Sequence, residues 1–436
     1  MKSQTDTVTP LAPSRSLAGL ELAMRVTDDV APFNVVMVLR VEGELPIATL
    51  RNALDELQRR HRLLRARILS EGKGHAFHFD STGPIPLEVS ERVGHERWIT
   101  AAEDEFQVRF PLADGPLMRC RYLSDAQGGD LIVTLHHTIV DASSARHLLG
   151  ELLDLCSGVT PEPVPAQASE GAVSAPALYP KAFTGLGYAR ALLAFMRRSM
   201  ADEMTFRWRS RGIRQAPIVA KGRCCLLPVR FPAALTAKLI AASREQRVTL
   251  NSILGAAMLS AVQRRLYPSP LVPLRHIIFA DLRDRLGTPL AATTLGCFLT
   301  MFRFTVTVPR DGDVWAIARD VQDSTALSAR TGERYLAYSM SPGMMKMIFT
   351  LKAFRMGATA LSYSGPIELP ETCGSFRVTG LHAFATNMTL GPEYTALVRL
   401  FRGELWWDIM YMDSDMNDAA AREIAHDMQA ILEAAC

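Results

Sequence analysis

Residues Leu131–Asp141 read LIVTLHHTIVD, and this stretch constrains the fold more than any other. Leu131 to Leu135 is apolar with β-branched side chains, so the spacing predicts a strand buried inside a sheet. His136 and His137 follow at once, and Asp141 closes the loop after them. The next residues, SSARHLLGELLDL, run as an amphipathic helix with Leu148, Leu149, Leu152, Leu153 and Leu155 on its apolar side. Gly158 is placed to stop that helix. Two histidines and a carboxylate thus sit where a buried strand gives way to a loop, and such loops carry chemistry on a rigid scaffold.

Three readings fit the pattern. In the first, His136 and His137 pack and Asp141 caps the following helix. In the second the histidines hold a metal, but adjacent residues on extended backbone point to opposite faces, which works against one shared ion. In the third, one histidine faces a cavity and takes a proton from an attacking hydroxyl or amine. An imidazole titrates near neutrality, at about 6.5, so it can do this without a large environmental shift.

The chain has 436 residues, 48% of them hydrophobic and 21% charged, which is a globular composition long enough for two subdomains. A net charge of +3 gives no reason to expect nucleic-acid binding. The seven cysteines form no Cys-x-x-Cys pair, so reduced thiols in a cytoplasmic protein are expected. No signal peptide and no uninterrupted apolar run of about 18 residues is visible, so no transmembrane segment is expected.

The rest of the chain alternates strands and helices. The pattern predicts a strand over 33–41, one helix over 47–68, and a helix over 95–106. Five prolines between Thr160 and Pro180 mark a linker, and the subdomain boundary is placed at 180/181. A helix over 189–211 becomes basic. From Arg197 to Arg223 eight cations face two acids, which reads either as a solvated face or as a docking surface for an acidic partner. The second half predicts strands over 224–231, 276–281, 296–308 and 360–369. A hairpin turns about Arg402-Gly403, and helices cover 232–247, 249–266, 315–331 and 418–435. A phosphate loop, a Gly-x-Ser-x-Gly elbow and a His-Glu-x-x-His helix are all missing from the sequence.

His136, His137 and Asp141 match the His-His-x-x-x-Asp motif, and here the chain resembles the chloramphenicol-acetyltransferase-like superfamily. Condensation domains, plant alcohol acyltransferases and polyketide-associated acyltransferases belong to that group. LQRRHRLLRARI (57–68), FPLADGPLMRCRYL (110–123), ADLRDRL (280–286), LGCFLTMFRF (295–304) and LSYSGPIE (361–368) resemble further family segments in family order. One departure is Ala142, where the family usually has glycine after the aspartate.

The resemblance implies an α/β fold of two chloramphenicol-acetyltransferase-like subdomains. Each is a mixed sheet covered by helices, and an active-site tunnel runs between them. It implies His137 as general base, His136 as supporting histidine, and Asp141 as the structural partner of Arg283. Met344, Met347, Ser364 and Thr300 are expected to line the tunnel; the Met-rich segment Met340, Met344, Met345, Met347, Ile348, Leu351, Phe354 and Met356 reads either as helix core or, in part, as the wall of the acyl end. The implied chemistry is acyl transfer from a thioester to an acceptor without a covalent enzyme intermediate. The donor would be an acyl carrier protein bearing phosphopantetheine, or coenzyme A, and no metal or tightly bound cofactor is expected. The acceptor would be a small-molecule alcohol in natural-product or lipid biosynthesis, with an amine as the alternative. A catalytically inactive binding or scaffold member of the family is the other class of reading.

Overall fold

A computed structural model describes residues 14–72, 74–79, 82–161, 174–213, 222–351, 355–388 and 390–436. Two six-stranded sheets organise the chain. The first runs, in spatial order, Thr372–Cys373, Phe376–Ala385, Asn34–Gly43, Gly128–His136, Met118–Asp125 and Leu87–Glu91. The second runs Leu299–Pro309, Leu271–Asp281, Thr359–Ile367, Tyr394–Phe401, Glu404–Met412 and Cys224–Phe231. Both are mixed. Leu87–Glu91 is parallel to Met118–Asp125, and Thr359–Ile367 is parallel to both of its neighbours.

Asn34–Gly43 carries the run VVMVLRV because both of its faces are covered. Val35, Met37, Leu39 and Val41 meet Leu50, Leu54 and Leu57 of the helix Ile47–Arg60 and Leu148, Leu149 and Leu152 of the helix Ala142–Cys156. Val36 and Val38 face the other way, into a small core holding Trp98, Phe384, Leu226 and Met410. Leu226 and Met410 belong to the second sheet, so this core joins the two lobes. A strand buried on both faces cannot alternate, which explains its continuous apolar reading. In the second lobe the helix Leu250–Leu266 buries every residue from Ser252 to Gln263, and Ile424, Met428 and Leu432 of the helix Asp418–Ala434 share its core.

Several expectations shift. The helix expected over 47–68 ends at Arg60; residues 62–65 form a short 3-10 turn and 67–71 a strand. His61 leaves the helix with its Nε2 2.6 Å from Glu151 Oε2, and this tertiary contact outweighs helix propensity. A helix over Leu20–Asp28 carries no expectation from the sequence pattern. The larger surprise is Phe376–Ala385. This strand follows the second lobe's Thr359–Ile367, yet pairs antiparallel with Asn34–Gly43, with Leu381 opposite Leu39 and Ala385 opposite Val35. The first sheet therefore draws a strand from beyond the 180/181 linker. Residues 162–173 of that linker lie outside the described residues.

Candidate active site

The strand Gly128–His136 is buried at every residue, and its end delivers the two histidines to opposite sides, as alternation requires. His136 turns inward. It is fully buried, its Nδ1 lies 2.7 Å from Thr138 Oγ1, and the edge of the ring meets Phe110. Its Nε2 lies 3.5 Å from Asp28 Oδ1 on the helix Leu20–Asp28. Burial pushes the Asp28 carboxyl up, but the adjacent His136 imidazole outweighs it and holds the carboxyl below its usual range.

His137 turns the other way and lines a cavity of about 350 Å³. Its ring stacks on Phe33, centroids 5.3 Å apart, and its Nδ1 is 2.8 Å from the carbonyl oxygen of Val140. A carbonyl can only accept, so Nδ1 carries the hydrogen and Nε2 keeps its lone pair. Burial lowers the imidazole pKa below its ordinary value, and the Val140 hydrogen bond only partly opposes this. At neutral pH the residue is thus a neutral imidazole with a fixed tautomer.

Asp141 does two jobs. It caps the helix Ala142–Cys156, accepting from the Ser144 N–H at 2.9 Å. It also accepts two hydrogen bonds from Arg283, Nη1 to Oδ2 at 2.8 Å and Nη2 to Oδ1 at 3.0 Å. The Phe298 N–H donates to Oδ2 at 2.8 Å. Arg283 also donates to Ser144 Oγ, Asp281 and the Thr294 carbonyl. Burial works against the guanidinium charge, and the carboxylates of Asp141 and Asp281 more than offset it, so its pKa is raised. This network, bidentate and charge-assisted, ties the histidine loop to the second lobe. Ala142 is exposed and lines the cavity beside it.

The cavity is walled from both sheets, by Val35, Met37 and Leu381 on one side and Ile277, Phe279 and Ala360 on the other. Methionines are prominent: Met24, Met37, Met301, Met345, Met356 and Met388. Ser364 lines it too, its Oγ donating to the Val398 carbonyl at 3.3 Å. Three expected lining residues do not. Met344 and Met347 are off its wall, Met347 being 49% exposed. In the helix Glu333–Leu351, Ser341, Met345 and Ile348 form the inward face, so the register is one residue away from the expectation. Thr300 is likewise corrected. Leu299 and Met301 face the cavity, while Thr300, between them on the strand, donates to the Arg334 carbonyl at 2.7 Å. Phe354 and the side chain of Leu351 lie outside the description.

Asp28 and Phe33 are the site residues that motif reading misses, whereas Met345 belongs to the Met-rich segment the sequence singles out, one residue from the position expected. Phe33 had a signal, since it opens the strand that pairs with the histidine strand. Asp28 had none, because its approach to His136 depends on tertiary packing. Among the described residues no group of three metal-ligating side chains occurs.

Two six-stranded mixed sheets, with a His-His-x-x-x-Asp loop facing a shared cavity, define a condensation-type fold. Comparison with known proteins agrees. Residues 24–170 match the condensation-domain model, and residues 222–400 match the model for the C-terminus of phthiocerol/phthiodiolone dimycocerosyl transferase. Both segments resemble proteins of the condensation-domain-like, or chloramphenicol-acetyltransferase-like, superfamily, and the relatives named next are transferases. It is 24% identical over 294 residues to the phthiocerol/phthiodiolone dimycocerosyl transferase of Mycobacterium leprae, covering 65% of this chain and 67% of that one. The Mycobacterium ulcerans counterpart is 25% identical, with 65% of its length matched, so the match spans about two thirds of these relatives. Among solved structures, trichothecene 15-O-acetyltransferase from Fusarium sporotrichioides superposes with a TM-score of 0.79 at 12% identity, covering 97% of this chain and 95% of that one. Polyketide synthase associated protein 5 from Mycobacterium tuberculosis gives 0.68 at 15% identity, covering 96% and 98%.

Proposed function

We propose that this chain forms esters, moving an acyl group from a thioester to the hydroxyl of an apolar alcohol, with His137 as general base. The donor is an acyl chain on the phosphopantetheine of a carrier protein or on coenzyme A, and the cavity is the passage in which donor and acceptor meet. The hydroxyl proton passes to Nε2 of His137 as the oxygen attacks the thioester carbonyl. The tetrahedral adduct then collapses, the carbon–sulfur bond breaks, and the leaving sulfur takes the proton back from His137. Thiol and ester result, and the enzyme returns to its starting state. Asp141 and Arg283 hold the loop and touch neither substrate. The reaction is placed in the cytoplasm, where thioester carriers are made.

The observation that carries this reading is the Nδ1–H to Val140 carbonyl bond, which leaves a lone pair on the cavity side of His137. The related dimycocerosyl and 15-O-acetyl transferases, by name, support an ester over an amide product. The test incubates the purified chain with acyl-coenzyme A of graded length and a long-chain alcohol or amine, and follows free thiol and product mass. Ester mass with matching thiol release is expected. Amide product with no ester would favour the condensation alternative. Background thiol release with every donor, coenzyme A or carrier-bound, would leave the inactive scaffold reading.

A further inference from the structure

The helix Gly185–Arg209 carries apolar side chains both toward the protein and toward solvent. A surface helix ordinarily turns its apolar stripe to the core, but none of these 25 residues is buried. Its inward side sets half-buried Tyr188, Leu192, Phe195 and Phe206 beside several polar contacts. Arg198 pairs with Glu333 and donates to Thr331 at 2.6 Å, Glu203 meets Arg275, and Thr305 donates to Asp202 at 3.3 Å. The outward side carries Leu186, Leu193, Met196, Met200, Met204 and Trp208, between 47% and 80% exposed. From residue 193 onward these recur at three- and four-residue intervals, so they form one stripe. At 1.5 Å per residue the stripe is about 33 Å long.

Charge decides what covers it. Asp202 and Glu203, the helix's two acids, are drawn inward by the contacts just named. Arg190 and Arg197 stand exposed beside the stripe, with no carboxylate partner among the described residues. The outward face is therefore apolar and cationic. A second copy laid on the same face would set arginine against arginine. A carrier domain would cover a few turns, whereas a straight stripe of this length matches a plane. A helix with large apolar residues on one face and arginines at its border lies in a lipid interface, the cations meeting anionic headgroups.

We propose that Gly185–Arg209 is a membrane-surface helix that docks this enzyme on bilayers containing anionic phospholipid. The inference stands apart from the acyl-transfer reading, since it concerns a surface outside the site. It has a consequence for that reading. The helix packs on Glu333–Leu351, which supplies Met345 to the cavity wall, so docking would place the cavity close to the layer in which apolar alcohols and acyl chains dissolve.

The test is co-sedimentation of the full chain with vesicles of phosphatidylcholine alone or with 30% phosphatidylglycerol, with Trp208 fluorescence read in parallel. Trp208 is the one exposed tryptophan of the five, so its blue shift reports the contact, and Trp208→Phe removes it. Binding to the anionic vesicles, weakened by salt, is expected. Arg190→Ala and Arg197→Ala should each lower partitioning about five-fold. Met200→Asp with Met204→Asp should abolish it while leaving transfer from a short soluble donor unchanged. Absence of sedimentation with anionic vesicles, or an aspartate variant that binds like the parent, overturns the proposal. So does a solution dimer that the aspartates dissolve, or a Trp208 response to an acidic carrier protein but not to lipid.

Discussion

Both lobes bury histidines, and one from each, His137 and His276, have opposite fates. His137 sits at the end of a strand, with a carbonyl on Nδ1 and a cavity beyond Nε2. His276 sits mid-strand in Leu271–Asp281, with a hydroxyl, Thr359 Oγ1, 2.7 Å from Nδ1 and the helix residue Gly255 packed against its other side. Burial lowers both imidazoles, His276 to about 3. Burial alone thus makes a neutral histidine. A base also needs a partner that fixes its tautomer and an open space for the proton donor.

The widest gap between the two histidines lies in turnover. His137→Ala should lower kcat by about 10² to 10⁴ with the melting curve preserved, whereas His276→Ala should lower stability and leave kcat near that of the parent. Equal turnover losses in the two folded variants would show that the two histidines do not differ in role. Next in size is the tie that holds the His137 loop. Asp141→Asn removes the buried one of the two carboxylates that pair with Arg283, leaving only the part-exposed Asp281, and should cost up to roughly 3–5 kcal/mol in chemical denaturation. An unchanged midpoint would show that the loop does not depend on the pair.

Proton linkage separates the lobes further. His276 is neutral in the folded chain down to about pH 3, while in the unfolded chain it gains a proton below about 6.5. The unfolded state therefore binds more protons in that window, and stability falls as pH drops through it, by up to about 1.4 kcal/mol per unit. His276→Gln should flatten that slope between pH 6.5 and 4. His137 must be neutral to work, so the acid limb of kcat/KM should lie below 6.5, and a limb above it would contradict the burial effect. The smallest effect concerns the methionine wall. Met345→Trp should disfavour long acyl donors by a few-fold per carbon, at about 0.8 kcal/mol per lost methylene contact. Met344→Trp, off the wall, should leave chain-length preference unchanged. A uniform slowing in the Met345 variant would assign the acyl end elsewhere.

The sequence is legible where the chemistry is local. The histidine strand, its capped helix and the hairpin at Arg402-Gly403 all follow from short-range pattern. Reading fails where parity or partner choice decides. Met344 against Met345, or Thr300 against Met301, is a shift of one residue that periodicity resolves poorly without a known face. FRVTGLHAFA carries Gly380, His382 and a bulge after Val378, so its alternation is broken. Its strand character comes from Asn34–Gly43 and from Asp408. Asp408 accepts the Ala383 N–H at 2.6 Å and lies 2.8 Å from His382 Nδ1.

That late strand has a consequence for how the protein is made. Asn34–Gly43 and Gly128–His136 leave the ribosome early, and they pair with each other on one side only. The other side of Asn34–Gly43 stays an open apolar edge until Phe376–Ala385 is synthesised. At roughly 5–20 residues per second, that wait is on the order of ten seconds to a minute. During it the nascent chain exposes VVMVLRV to any other strand within reach, which makes its yield in cells a matter of chaperone occupancy. A fragment ending before residue 376 keeps that edge open permanently.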